Sequence, residues 1–193
     1  MALSALSVHG IAENILACVC ATLAETATEI DGQPGCPCVA CVVPGTPAWD
    51  DCTGGCSGTQ VPGQLTVHLE RILPTSNFPA ETRDILGSRN CQPVKAAGEY
   101  VITLLRCAPT YSESGCPPTC EEQSEAARIL HVDATSIWNG LMCCFPATSG
   151  ARRGQQFVMG QQRVVGPEGQ CVGIEQRVTV ALPNCGCPEE EST

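Results

Sequence analysis

Sixteen of the 193 residues are cysteine. Thiols support two kinds of structural chemistry: as thiolates they hold metal ions, and as oxidised pairs they cross-link the chain. The densest group is Cys36, Cys38 and Cys41, followed by Cys52 and Cys56. Cys-x-Cys-x-x-Cys with a following Cys-x-x-x-Cys carries enough sulfur for a tetrahedral zinc site. Zinc ribbons and fingers, however, use regular Cys-x-x-Cys knuckles, and no histidine lies near this group. Disulfides fit the five better than zinc, and no metal or cofactor is expected. Cys91, Cys116, Cys120, Cys143, Cys171, Cys185 and Cys187 complete the set of disulfide candidates. Their connectivity does not follow from spacing.

Helix geometry limits some pairings. Side chains advance about 100° per residue, so Cys18 and Cys20 diverge by about 200° and cannot clamp one ion together. Cys143 and Cys144 diverge by about 100° and suit two different partners. Cys18, Cys107 and Cys144 fall in apolar surroundings and read as small core residues unless a partner lies close.

Other chemistry is sparse. The histidines are His9, His68 and His131, and no nucleophile elbow, zinc-protease helix or phosphate loop accompanies them. An enzyme is not expected. In the loop at 44–63, Trp49 precedes Asp50 and Asp51, and an aromatic flanked by acids is a candidate protein contact. Turn-forming aspartates and a small satellite core under the loop are the ordinary alternatives.

The elements that must position these residues can be read from periodicity. Residues 3–26 place Ile11, Ile15, Cys18 and Thr22 on one helical stripe, with Leu16, Val19 and Leu23 beside it. The N-terminal stretch lacks basic residues ahead of its apolar part, and His9, Glu13 and Asn14 interrupt it, so it reads as a helix of the mature protein rather than a leader. No apolar run approaches the ~20 residues of a membrane span. Residues 36–43 form a candidate strand. From 65 the sequence alternates, with Leu65, Val67 and Leu69 on an apolar face and Thr66, His68 and Glu70 on a wet one, until Pro74. Residues 74–98 look irregular, with a short helical turn at 81–86. A buried strand follows at 99–106, then a Pro-rich loop at 108–118.

Thr119 and Glu122 form a capping-box pair ahead of a second helix. That helix sets Ala127, Leu130, Ala134, Ile137, Leu141 and Cys144 on one face, with a break expected near Asp133. Residues 157–165 and 171–182 flank a turn at 166–169 and read as a hairpin, in which Gln176 interrupts the apolar face. The fold class is therefore α+β: a mainly antiparallel sheet, an N-terminal helix, one helix packed on one face, a C-terminal β-hairpin and long Cys-rich loops. Residues 1–186 form one domain with loops at 44–63, 74–98 and 108–118, and 187–193 form an acidic tail.

Composition bounds the function. Apolar residues make up 43% and aromatics only 4%, so the core is small and aliphatic. The formal charge of −10 opposes phosphate binding and argues against reading nucleic acid. Cysteine usage of about 8% belongs to oxidising compartments, yet no secretory signature accompanies it.

Several phrases together, ILACVCATL, CVVPGTPAWDDC, GQLTVHLERILPTSNFP, RCAP and GPEGQCVGIEQRVTVAL, resemble cysteine-rich structural proteins from the head-to-tail region of long-tailed actinobacteriophages. The likeness covers most of residues 11–182, and its element order is similar to that of tail terminators. The resemblance implies a hexameric ring of identical subunits that joins the tail tube to the neck, with neck adaptors and head-closure proteins as near relatives. It implies partners in the tail tube and neck proteins, DNA passing without sequence-specific binding, and no membrane. A virion protein assembled in the host cytoplasm and used outside it would reconcile the cysteines with the missing signal. A zinc-stabilised intracellular binding module on residues 36–56 is the alternative from another class.

Overall fold

A computed structural model describes residues 5–47, 52, 56–82, 95–112, 115–148 and 156–182. The architecture is α+β. Helix α1 (Ala5–Glu29) leads to strands β1 (Val39–Val42), β2 (Gln64–Thr75) and β3 (Lys95–Cys107). Helix α2 (Cys120–Asn139) runs through a π turn at Gly140–Cys144 into the short α3 (Phe145–Thr148), and strands β4 (Phe157–Glu168) and β5 (Cys171–Ala181) close the fold. The five strands order as β1-β2-β3-β5-β4. Only β1 with β2 is parallel; the other neighbours are antiparallel.

Alternation splits the sheet into two unlike faces. Leu65 and Val67 of β2, Tyr100, Ile102 and Leu104 of β3, and Ile174, Val178 and Val180 of β5 point to one side. There they meet Ile11, Ile15, Val19 and Leu23 of α1 and Leu130 and Ile137 of α2 in a single core. Helix α1 belongs there because its apolar residues recur at helical spacing. By length and composition Ser7–Glu29, of mean hydropathy 1.4, is also apolar enough to cross a membrane, contrary to the sequence reading. In this fold its buried stripe lies on the sheet, and the Tyr100 hydroxyl donates to the Val8 carbonyl at 3.0 Å.

Helix α2 starts where its capping box predicts. The Thr119 side chain accepts from the Glu122 N–H, and the Glu122 carboxylate accepts from the Thr119 N–H at 2.7 Å. The expected break at Asp133 does not occur, because Asp133 is fully buried and bonded inside the core. The irregularity falls instead at Gly140, where a Cβ would meet Thr22 Oγ1 of α1 at 3.0 Å. The bare glycine lets the helices close on one another, and Leu141 and Phe145 beyond it are fully buried.

Other boundaries also move. Pro74 does not end β2, which runs to Thr75 after an irregularity between Leu69 and Arg71. β3 begins at Lys95, so the irregular stretch is shorter than 74–98. Of the helical turn expected at 81–86, Glu81 and Thr82 are not helical and the rest lies outside the described residues. Thr66 and His68 are not wet; they are 1% and 6% exposed. β2 is an interior strand, and Glu70, Glu175 and Arg177 lie around His68. In the closing hairpin the chain reverses one step later than expected, at Gly169 (φ 54) and Gln170 (φ 62). Two consecutive positive φ values match the twist of tight hairpins. Gln176 fills its core position by donating to the carbonyls of Gly160 at 3.1 Å and Arg177 at 2.6 Å.

Candidate functional site

The cysteines resolve into cross-links rather than a metal cage. Disulfides join Cys18 to Cys144, Cys20 to Cys36, Cys38 to Cys56 and Cys52 to Cys107. Four of the five zinc candidates are therefore divided among three different bridges, and Cys41 is exposed on the edge strand β1. With their thiols oxidised, these residues cannot serve as a common thiolate set, so a zinc module on 36–56 is not supported. Among the described residues no group of three or more His, Cys, Asp or Glu could hold a metal ion.

The reading of Cys18, Cys107 and Cys144 as plain core residues is overturned. Each is bridged, because the packing of α1 on the π turn, and of the loop at Cys52 on the end of β3, brings distant sulfurs together. The divergence of Cys18 from Cys20 does appear, since they bond to opposite neighbours, the π turn and the loop after α1. Cys120 and Cys143 are exposed and not cross-linked among the described residues. Cys116 is exposed ahead of α2, and Cys171 is buried against Leu105 and Cys52. Trp49, Asp50, Asp51, Cys91, Cys185 and Cys187 lie outside the described residues.

The most deeply buried ion pair among the described residues has no counterpart in the sequence reading. Arg106 ends the apolar row of β3, and Asp133 sits between Leu130 and Ile137 of α2; their side chains are 6% and 0% exposed. The guanidinium holds the carboxylate through two contacts, Nε to Oδ2 at 2.9 Å and Nη2 to Oδ1 at 3.0 Å. Gln33 donates to the same Oδ1 at 2.9 Å, and Arg106 Nη2 also reaches the Pro34 carbonyl at 3.2 Å. One buried pair thus ties the loop after α1, the sheet and α2 together. The signal was present in the sequence: an arginine and an aspartate each placed on a face otherwise apolar.

Arg106 also lines a surface groove of about 1160 Å³ between the N-terminal half of α2 and the segment Cys107–Thr110. Glu121, Glu122 and Glu125 lie along the α2 side. The hydrogen bonds from Thr119 hold Glu122 below the usual carboxylate range, and the bonds from Arg128 (2.7 and 2.9 Å) do the same for Glu125.

The opposite sheet face, free of helices among the described elements, carries a ladder of ion pairs. Arg177 contacts Glu70, Glu99 at 3.1 Å and Glu175 at 3.3 Å. Arg71 bonds Glu99 at 2.7 Å and Glu81 at 3.2 Å, and Arg163 bonds Glu175 at 3.0 Å. The bond from Arg71, joined by one from Arg177, keeps the Glu99 carboxyl below its ordinary range despite partial burial. His68 sits among these charges with Nδ1 unpartnered among the described residues, and desolvation lowers its pKa. Such an arrangement can present alternating charge to another protein surface; it assembles no nucleophile with a base. No protein-family model matches the chain, and no curated protein matches its sequence.

Proposed function

We propose that this is a non-enzymatic virion structural protein, a tail terminator that forms a homohexameric ring between the tail tube and the neck of a long-tailed phage. The observation that carries the reading is the element order of helix, sheet, packed helix and closing hairpin, held by four disulfides among the described residues. That is the order the sequence resemblance implies, and disulfides on such a frame suit a particle that leaves a reducing cytoplasm. Its neighbours are further copies of itself, the tail tube protein and the neck proteins. The acidic surface lets DNA pass without sequence-specific binding. The exposed charges of the helix-free face, with Arg71 and Arg163 each 54% exposed, are suited to contact the next subunit. A neck adaptor or head-closure protein would use the same features.

Native mass spectrometry of the purified protein, with and without reductant and chelator, tests the proposal. The expected result is a hexamer whose subunits are lighter by two hydrogen atoms per disulfide, a deficit that reductant abolishes. A monomer carrying chelator-sensitive zinc overturns it. Co-sedimentation with tail tubes separates a terminator from the other neck proteins.

A further inference from the structure

We propose that the groove between α2 and the segment after β3 is a docking site for an extended polypeptide segment that carries arginine or lysine between apolar residues or prolines. Three observations converge there. The first is shape. The groove of about 1160 Å³ exceeds the roughly 300–1,000 Å³ of small-molecule pockets. It continues past Tyr111 and Pro118 into a second, more apolar hollow of about 510 Å³. Ala108, Pro109, Ala126, Leu130 and Val172 line both, so one occupant can lie across them. Tyr111, 72% exposed, stands at that end as an aromatic wall.

The second observation is an unmet donor. Arg106 lines the groove, its side chain is 94% buried (6% exposed), and its Nη1 has no hydrogen-bond partner among the described residues while Nε and Nη2 are fully engaged. A buried guanidinium N–H without an acceptor is costly, and a modest shift of the side chain toward a ligand carbonyl in the groove would satisfy it. The third is charge. Glu121 has no cationic partner among the described residues, and Glu125 shares its charge with the exposed Arg128. Glu122 is committed to the cap, so the rim keeps an excess of negative charge.

The occupant must therefore bring acceptors to Arg106, a cation to Glu121 and Glu125, and apolar surface to the alanine and proline walls. A polypeptide chain meets all three demands, with main-chain carbonyls for the first and a basic side chain for the second. A phosphate or nucleic acid meets only the first and is repelled by the rim.

The test uses the full-length oxidised protein. A pool of seven-residue synthetic peptides, each with a central arginine flanked by proline and aliphatic residues, is titrated while amide NMR spectra are recorded, beside a matched pool with glutamate at the centre. The expected result is saturable shifts on the first two turns of α2 and on Ala108–Tyr111 with the arginine pool alone. Glu121→Gln combined with Glu125→Gln weakens binding about five- to tenfold, as loss of two exposed charge contacts should. Ala126→Trp, which fills the region common to both hollows, abolishes binding in a protein whose circular dichroism is unchanged. Arg163→Ala on the far face leaves it intact. The proposal is overturned by absence of shifts at millimolar peptide, by equal binding of the glutamate pool, by shifts confined to another surface, or by preferential binding of an oligonucleotide.

Discussion

The two faces of the sheet hold their charges in opposite ways. On the helix face a single arginine–aspartate pair lies in the core, with Asp133 fully buried and each donor placed by the fold. On the other face Arg71, Arg163 and Arg177 share Glu70, Glu81, Glu99 and Glu175, and every acid except Glu99 and Glu175 is well exposed. The buried pair makes fewer contacts yet carries more weight. Removing one partner strands a charge away from water, whereas an exposed ion loses only a screened attraction. The ladder has a further property: Glu99 and Glu175 each have a second arginine, so losing Arg177 strands neither. Depth specifies the fold, and redundancy keeps the exposed face adaptable.

The comparison can be broken at its strong end first. Asp133→Leu should cost about 3–5 kcal/mol by leaving Arg106 buried and uncompensated. Pairing it with Arg106→Met should recover much of that loss, and denaturant unfolding of the three variants gives the coupling. Next, replacing Cys18 and Cys144 by alanine opens a cross-link between residues 126 apart and should cost about 2–4 kcal/mol. Without reductant the variant unfolds at lower denaturant than the wild type; with reductant the difference shrinks.

On the helix-free face acid should act through His68 and Glu99. His68 has a lowered pKa in the fold, so the unfolded chain protonates first as pH falls. The associated stability is complete above the unfolded value near 6.5 and is lost as pH falls below it through the lower folded value. Glu99 is also depressed, so its contribution is complete above about 4.5 and disappears below that. The melting midpoint should thus fall in two stages, and His68→Val should remove the upper stage alone. The smallest effect belongs to Arg177→Gln, which should cost under about 1 kcal/mol and less at high salt.

What the sequence made legible follows from range. The α1 stripe, the Thr119–Glu122 cap and the closing hairpin are local patterns, and each forms where its spacing predicts, with the hairpin turn displaced by one step. The pairing of Cys18 with Cys144 is a consequence of how α1 packs on the π turn, which no local pattern encodes. Asp133 was misread for the same reason. In isolation an aspartate weakens a helix, but Arg106 and Gln33 supply its bonds from elsewhere in the chain. Thr66 and His68 alternate like solvent-facing residues, and only their interior place in the sheet buries them. The ion-pair ladder depends on strand order, with β5 inserted between β3 and β4, which the hairpin signal alone does not determine.

The division between a face that specifies the fold and a face proposed to serve assembly is tested most directly by recording two quantities, unfolding free energy and native mass, on Asp133→Asn and Arg163→Gln beside the wild type. The expected result is a hexameric wild type, an Asp133→Asn protein that loses several kcal/mol, and an Arg163→Gln protein of nearly unchanged stability, since Glu175 keeps Arg177, that no longer holds the hexamer. An Arg163→Gln protein that keeps the ring, or that loses as much stability as Asp133→Asn, would contradict the account.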